Sequence, residues 1–546
     1  MEDISNTIRT IYTDYAINKS AETEALFSGR NLPTFVKDFI INRFSENGEI
    51  DTVAVKEYLA NKMPTSGAHI NMLLLDGEIV NITTRLIIKT ELSSGRVAFL
   101  LPDLNISSNM YISQEVLSEH KDDLVEGENW GNITMQYYPP EGKKKGYVLM
   151  TEYRPFKPYT NLNFDDFINL RAQLSVDEWI NVILSTLGYN HESFSSDESK
   201  FAMISRLIPA IEATLNFIEL GPKSTGKSHI YSNLSKYCRM ISGKCTRAQL
   251  VYNHATKQYG PIKNHDLIIF DEVSTLSFDD RTGEVQNFLK SFLEAGTASL
   301  TNIKITSTCG IGLAGNIALT EKMQPVSTDL KAILPDLFAS SAMLDRFHAF
   351  FAGWKVDKIT HAQIYYGWAI DSEFFSEYLH FMRTQNSYGQ IFNKIVTFDK
   401  SDAYIRHVKA VSRVATAYCK LLFPHIQNLD ELNDEDLKLF KELYNTYCLQ
   451  PAIAARNEIW NQCRNIDPEY KNYPLPEFTI ITDNNEEDAE AEGEQRTDIE
   501  QGTEVEPEAG AEVESGTEAE DNSEKESETE IITDTEPETK TNLDNQ

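Results

Sequence analysis

The sequence lacks the features that would place the chain in a membrane, in an oxidising compartment or among zinc proteins. It has no apolar run of membrane-spanning length, and its polar N-terminal stretch has no signal-peptide core. Its six cysteines form no CxxC pair, and no histidine pair has zinc-finger spacing. We therefore expect a cytoplasmic protein with scattered, reduced thiols.

Positive charge is scarce, above all near the C-terminus. Residues 481–546 contain 25 Asp and Glu against 3 Lys and Arg, so that they carry −22 of the chain's −33 charges. This segment has no aromatic residue and almost no apolar periodicity, and it cannot bury enough surface to offset its ordering entropy. We predict a disordered acidic tail over 479–546. The simple interpretation is a solubilising tail; the alternative is a DNA-mimicking brake that competes for a basic channel.

The rest of the chain is long and apolar enough for several folded domains, since 41% of the 546 residues are hydrophobic. Helical spacing predicts a helical region over 1–64. A period of two over 65–158 predicts a small OB-like barrel of five or six strands with a basic turn at 143–145. A helical connector over 159–199, an α/β core over 200–355 and a helical lid over 356–478 follow. The fold class is therefore multidomain α/β.

Residues 216–231 read NFIELGPKSTGKSHIY, in which an apolar strand runs into a glycine-rich loop and a helix over SHIYSNLSKYC. The loop fits G-x-x-x-x-G-K-[ST], whose backbone N–H groups surround a phosphate at the start of a helix. We predict that Lys227 bridges the β- and γ-phosphates of ATP and that Ser228 binds Mg²⁺. The predicted phosphate-binding residues are Gly221, Pro222, Lys223, Ser224, Thr225, Gly226, Lys227 and Ser228.

Two further apolar stretches end in polar residues. The strand over 267–270 delivers Asp271 and Glu272 at its carboxyl end, where open α/β sheets place their ligands. We predict that Asp271 holds the Mg²⁺ shell and that Glu272 orients and deprotonates the attacking water. The stretch CGIGLAGNIAL brings Asn316 to a neighbouring strand end, where it is predicted to hold that water. The pattern favours ATP hydrolysis.

Three arginines are candidates for the γ-phosphate. Arg346 follows an acidic residue at a helix end and suits an arginine finger that reaches a neighbouring subunit's ATP. A surface salt bridge with Asp345 or another acid is the alternative interpretation. Arg406 in the helix DAYIRHVKAVSRVATAYCKLLFP, or else Arg413, is predicted to be a second γ-phosphate contact from the lid.

Longer stretches carry a resemblance to one family. RLIPAIEATLNFIELGPKSTGKSHIY, PPEGKKKGYVLMTEYRPFKPY, LDRFHAFFAGW and ARNEIWNQCRNIDPEY resemble the Lon-like AAA+ ATPases (BrxL family) of bacterial BREX phage-defence systems. The resemblance implies a hexamer or a stacked pair of hexamers that uses ATP and Mg²⁺ on double-stranded DNA, with other BREX proteins as possible partners. It further implies that the barrel and its basic turn face DNA, and that a hairpin around SLTNIKITST brings Lys304 into the pore.

Longer members of the family continue into a domain similar to the Lon protease, whereas here NYPLPEFTIITDNNEED passes into the acidic segment. We therefore expect no peptidase activity, because a Ser–Lys dyad needs a folded domain to position it. Two alternatives to a DNA motor remain. One is a protein-remodelling ATPase, for which VYNHATKQYG is the candidate aromatic loop. The other is a nucleotide-dependent scaffold, against which Glu272 and Arg346 argue.

Overall fold

The computed structural model describes residues 3–30, 32–46, 48–91, 96–120, 124, 127–142, 145–156, 162–253, 258–278, 283–300, 303–327, 329–399 and 404–481. The predicted acidic tail, apart from its first three residues, and two lysines of the basic turn, Lys143 and Lys144, lie outside these ranges. No helix within the ranges is long and apolar enough to cross a membrane. Residues 1–483 group as one compact unit.

The N-terminal region contains four helices, Ile4–Ile11, Ala21–Leu26, Thr34–Arg43 and Thr52–Lys62. The last begins where expected, because the Asp51 carboxylate accepts hydrogen bonds from the first-turn N–H groups of Val53 and Ala54. The region is not wholly helical, however. Ala16–Lys19 is a strand that pairs antiparallel with Gly367–Ile370 in the predicted lid. A pairing across some 350 residues leaves no local signal in either segment.

The β-rich region forms a closed barrel of five strands: β1 (Val80–Glu91), β2 (Arg96–Leu100), β3 (Met110–Ile112), β4 (Gly127–Tyr138) and β5 (Tyr147–Pro155). Their order around the barrel is β1-β2-β3-β5-β4, and among these described strands the β3–β5 pair is parallel while the other neighbours are antiparallel. The sequence predicts strands throughout this region, but Gly67–Leu75 and Gln114–Glu119 are helices. Ser66 and Ser113 start these helices, since each side chain accepts a hydrogen bond from a first-turn N–H group.

Helices Asp165–Leu170, Val176–Thr186, Asp197–Ile204 and Ile208–Ile211 connect the barrel to a five-stranded sheet. All neighbours in this sheet are parallel, in the order β7-β8-β9-β6-β10. The strands are β6 (Phe217–Gly221), β7 (Cys238–Ile241), β8 (Leu267–Phe270), β9 (Gly310–Asn316) and β10 (Ala349–Ala352). The parallel α/β core predicted over 200–355 is thus present.

The core also contains helices Lys227–Asn233, Arg247–Leu250, Pro261–Asn264, Glu284–Ala295 and Ser341–Leu344. The first of these ends earlier than the sequence predicts, because the chain from Cys238 onwards is needed as edge strand β7 beside β8. The predicted hairpin before β9 is present as Thr297–Leu300 paired with Ile303–Thr306. Shorter pairs join Tyr252–Asn253 to Gln258–Tyr259 and Lys244–Cys245 to Ser277–Phe278.

Beyond the sheet the chain is mainly helical, as expected, with helices Ser372–Met382, Ser387–Ile395, Ile405–Leu422, Asp434–Tyr444 and Gln450–Ile466. Helix Ile405–Leu422 buries most of its length in the same apolar cluster as the connector helices and one face of the sheet. The other face of the sheet packs against a second cluster, which includes Phe288, Phe292 and Phe338. Both faces are therefore covered, as a parallel sheet requires.

Candidate functional site

The phosphate loop lies between the end of β6 and helix Lys227–Asn233. Gly226 caps this helix with a φ of 76°, and Ser224 has a φ of 67°, so the chain turns through the left-handed region twice. Gly221 lies against Gly353 so closely that a Cβ atom on Gly221 would be 2.7 Å from the Gly353 backbone. The loop therefore depends on glycine at its first position for packing and at its sixth for conformation.

A buried ion pair supports the loop from below. The Arg206 guanidinium contacts the Glu219 carboxylate at 2.6 Å, and both side chains are about 1% exposed. The same guanidinium donates to the Thr225 carbonyl of the loop at 2.7 Å, and the Tyr231 hydroxyl donates to Glu219 at 2.7 Å. Although burial opposes the charge, the Glu219 carboxylate raises the pKa of Arg206. A charged group inside the protein thus fixes the loop backbone.

Lys227 points back into the loop. Its Nζ donates to the Gly221 carbonyl at 2.9 Å and to the Pro222 carbonyl at 2.8 Å, and lies 3.4 Å from Asn316 Oδ1. Burial lowers the pKa of Lys227, an effect that the Glu219 and Asp271 carboxylates oppose. The ammonium is therefore held at the centre of the loop and beside the end of β9.

Asn316 ends β9 and pairs in register with Gly221, the first residue of the loop. The sequence order places this asparagine almost a hundred residues after the loop, yet the sheet makes them neighbours. This follows from the strand order, because β9 lies between β8 and β6. The carboxyl ends of all three strands meet at one edge, as expected for a ligand site of an open α/β sheet.

Two oxygen groups meet at the same edge. The Ser228 hydroxyl donates to Asp271 Oδ2 at 2.7 Å, and Asp271 Oδ1 accepts from the Glu272 N–H at 2.9 Å. A hydroxyl beside a carboxylate is a hard-oxygen donor set that fits Mg²⁺. Glu272 follows Asp271 directly, is exposed and has a φ of 49°, in the left-handed region. The residues predicted for phosphate, magnesium and water are thus brought together.

In the part of the chain that the structure describes, the three candidate arginines do not reach this site. Arg346 Nε donates to the Lys290 carbonyl at 2.9 Å and lies 3.3 Å from a Glu294 oxygen, while Nη1 contacts the Ala342 carbonyl. The alternative interpretation, a salt bridge with an acid, matches these contacts: in the described chain the acid is Glu294 rather than Asp345. Asp345 is instead buried, and it pairs with Arg406 and Arg456.

Arg406 and Arg413 also have other partners. Arg406 bridges Glu294 and Asp345, with N–O distances of 2.9 Å to each. Arg413 contacts the Thr214 carbonyl and His348 Nε2, each at 3.3 Å. Among the described residues, neither guanidinium contacts the phosphate loop. The lid contact to the γ-phosphate stays a prediction that these contacts do not favour.

Three contributors to the site have no counterpart in the sequence predictions. Arg206 and Glu219 form the support described above, and Ile359 N donates to the Ser224 carbonyl of the loop at 2.7 Å. The signal for the first two is a charged residue inside an apolar run, in RLIPAI and in NFIEL. Such residues are expected to be paired. Ile359 acts through its backbone and leaves no signal in the side-chain pattern.

Comparison with known families agrees with this geometry. The model described as "Lon-like protease BrxL-like, ATPase domain" matches residues 148–475. A second model, "BREX system Lon protease-like protein BrxL N-terminal", matches residues 10–137. The chain belongs to the BrxL family. The first match contains the phosphate loop, both carboxylates and Asn316, so that the site lies in the family's ATPase domain.

Curated relatives include two proteins named Lon-like protease BrxL. The protein of Escherichia coli O9:H4 (strain HS) is 26% identical over 452 residues, which cover 81% of this chain. The protein of Bacillus cereus (strain H3081.97) is 25% identical over 446 residues, or 80% of this chain. The matches span only 62% and 65% of those two proteins. "Uncharacterized protein ORF426" of Acidianus filamentous virus 1 is 25% identical over 264 residues.

Proposed function

We propose that this protein hydrolyses ATP with Mg²⁺ in a ring of identical subunits and uses the energy to move on double-stranded DNA. The observation that carries the ATPase part is the meeting of the phosphate loop with the Ser228–Asp271 pair and with Asn316 at one sheet edge. The BrxL ATPase domain implies a nucleotide, and the oxygen donor set fits the cation that usually accompanies it.

Each residue of the site has a role in this proposal. Lys227 exchanges its contacts with the Gly221 and Pro222 carbonyls for β- and γ-phosphate oxygens. Ser228 and Asp271 hold Mg²⁺, which neutralises phosphate charge when bound. Glu272, next to Asp271, accepts a proton from the attacking water, and Asn316 orients that water.

The position of Arg346 is the structural support for the proposed ring. Within the described chain this guanidinium contacts Lys290, Glu294 and Ala342 rather than the phosphate loop. We propose that it reaches the ATP of a neighbouring subunit in a hexamer or a stacked pair of hexamers. Because Arg346 would add positive charge to the γ-phosphate of the neighbouring subunit's ATP, hydrolysis would depend on assembly.

The DNA part rests on family membership and on two structural features. The barrel order β1-β2-β3-β5-β4, with a parallel pair between the third and fifth strands, supports an OB-like domain, a type that binds oligonucleotides. The hairpin Thr297–Leu300/Ile303–Thr306 carries an exposed Lys304, which we propose faces DNA in the pore. We further propose a role in BREX phage defence alongside other BREX proteins, without peptidase activity.

A second function is favoured by one observation. Hairpin Tyr252–Asn253/Gln258–Tyr259 pairs two tyrosines with ring centroids 5.2 Å apart, and Tyr259 is exposed. Exposed aromatic residues of this kind suit a loop that grips a polypeptide. The protein-remodelling ATPase therefore remains the alternative to the DNA motor.

The experiment that tests the proposal measures phosphate release with and without double-stranded DNA, in the parent and in Arg346→Ala. We expect DNA to stimulate hydrolysis, and we expect Arg346→Ala to lower the rate on the order of 10³- to 10⁵-fold while ATP binding persists. Lys355→Ala, which removes a solvent-exposed cation paired with Glu198, is the matched control. Hydrolysis that is indifferent to DNA would shift the assignment to the protein-remodelling alternative.

A further inference from the structure

The outer wall of the barrel carries a row of one arginine and three tyrosines, which we call the tyrosine row. Arg96 (β2), Tyr111 (β3), Tyr147 (β5) and Tyr138 (β4) belong to four strands that are consecutive around the barrel. Successive strand residues point to opposite faces. The neighbours of these four residues in sequence pack in the barrel core: Val97, Met110, Ile112, Tyr137 and Val148. The row itself therefore lies on the outer face.

The side chains of the row form a continuous stack. Tyr138 and Tyr147 are directly opposite each other across β4 and β5, with parallel rings 5.2 Å apart at an angle of 11°. The Tyr111 ring lies 6.2 Å from that of Tyr147. The Arg96 guanidinium lies 4.9 Å from the Tyr111 centroid and 5.3 Å from the Tyr147 centroid. The rings are thus held rigidly while each remains partly exposed.

The row has a positively charged side chain, Arg96, at one end. Arg96 lies opposite Glu91 of β1 in the strand register, and its guanidinium stacks on the Tyr111 and Tyr147 rings. Lys145, two residues before Tyr147, is also exposed. Glu141 is an exposed acid on the same turn, but it has no contact with Arg96. An exposed guanidinium stacked on aromatic rings suits a ligand that combines phosphate with flat rings.

We propose that the tyrosine row binds unpaired nucleotides of single-stranded DNA. Bases would extend the stack of rings, and the phosphates would contact Arg96 and Lys145. Aromatic platforms beside basic residues bind single strands with little sequence preference, because every base has a π-face. A duplex hides those faces within its own stack. The proposal relies on the proposed function only in assigning DNA to this protein, and it adds a site for a strand that is not paired.

The surroundings favour nucleic acid over a protein partner. Among the described residues of the five barrel strands, no large aliphatic side chain is exposed. The exposed aliphatic residues of this region lie before β1, at Met72, Leu75 and Ile79. An apolar protein surface would therefore find its contacts there rather than on the tyrosine row. What the row offers is ring faces and positive charge.

The test compares two double variants of the full chain. Tyr138→Leu/Tyr147→Leu removes the rings but keeps apolar bulk, whereas Tyr138→Phe/Tyr147→Phe keeps the rings. Affinity is measured without nucleotide by anisotropy of a fluorescent oligothymidylate strand and of a duplex. We expect the leucine variant to lose about tenfold or more in affinity for the strand, the phenylalanine variant to stay within about twofold, and duplex affinity to be unchanged in both.

Several results would overturn the proposal. They are a parent that does not bind the strand, a leucine variant that binds it as the parent does, and equal losses for strand and duplex. A change in ring size in the leucine variant with unchanged strand affinity would mark the row as a contact between subunits. Because the assay omits ATP, none of these results depends on whether duplex DNA stimulates hydrolysis.

Arg96→Gln provides a second and independent test. It should leave the barrel folded, since Arg96 is exposed at the first position of β2. We expect weaker strand binding with a smaller dependence on salt, because one phosphate contact is lost. If the leucine variant does not fold, unchanged strand affinity and salt dependence in Arg96→Gln overturn the proposal by themselves.

Discussion

Replacing one partner of the Arg206–Glu219 pair should destabilise the core and weaken nucleotide binding, and the two effects should be separable. The side chains are about 1% exposed and 2.6 Å apart, and Arg206 also donates to the Thr225 carbonyl of the phosphate loop. Glu219→Gln leaves the guanidinium buried without a countercharge. Among the described residues, Arg206→Met leaves the carboxylate with the Tyr231 hydroxyl as its hydrogen-bond donor.

The magnitude follows from the burial. Removing one member of a buried ion pair costs about 3–5 kcal/mol, because the remaining charge is uncompensated. For a domain of this size that corresponds to a fall in Tm on the order of 10 °C. The double variant Arg206→Met/Glu219→Gln carries neither charge and keeps an acceptor for Tyr231. We therefore expect it to recover most of the lost stability.

Nucleotide affinity should behave differently. Both variants that contain Arg206→Met lack the hydrogen bond to the Thr225 carbonyl, so the loop loses its support whether or not the charge is balanced. Thermal unfolding and titration with a fluorescent ATP analogue are measured for the parent, the two single variants and the double variant, which together form a double-mutant cycle. Lys355→Ala breaks an exposed ion pair with Glu198 and is the control for losing an ion pair that is not buried.

Two outcomes would refute the reasoning. If both single variants have the same Tm as the parent, removing one partner does not leave an uncompensated buried charge. The structural account of the core would then be wrong. If the double variant regains both stability and nucleotide affinity, the contact between Arg206 and the Thr225 carbonyl does not shape the loop. The second outcome would leave the buried pair as a purely structural feature.

Three other predictions concern the site, the acidic segment and pH. Lys227→Ala should abolish nucleotide binding, and Glu272→Gln should bind ATP without releasing phosphate; a parental rate in Glu272→Gln would assign the base elsewhere. Deletion of 481–546 should tighten DNA binding at low salt if the segment competes for the DNA site, and unchanged affinity would reject that role. Burial raises the pKa of Glu373 from 4.5 to about 7 despite its pairing with Lys236. The stability that protonated Glu373 contributes below pH 4.5 should therefore be lost as the pH rises through about 7. Glu373→Gln should make Tm depend less on pH.

The sequence predicts best where one chain segment carries its own signal. The phosphate loop combines a strand, glycines that permit left-handed backbone and a helix start, all within a dozen residues. The carboxylates of Asp271 and Glu272 follow a fully buried strand for the same local reason. Their convergence with Asn316 then follows from parallel topology. The ATPase core is the part of the fold that local patterns describe most completely.

Prediction is weaker where partners are far apart in the chain. Strand Ala16–Lys19 pairs with Gly367–Ile370, and its four residues carry no apolar alternation that would distinguish them from a helix connection. The helix Gly67–Leu75 lies within 65–158, where a period of two predicts strands. In both cases tertiary contacts decide the conformation, and local propensity alone does not.

Arg346 belongs to a third class, in which the proposed partner lies outside the chain. Its contacts with Glu294 and the Lys290 carbonyl satisfy the guanidinium within the subunit, so a role in a neighbour's site requires these contacts to be exchanged. Glu294 also pairs with Arg406, which can remain as its partner after the exchange. The cost of releasing Arg346 is thereby reduced, because Glu294 is not left alone. In the proposed ring, this arrangement would release Arg346 only when a neighbouring subunit offers a stronger anion.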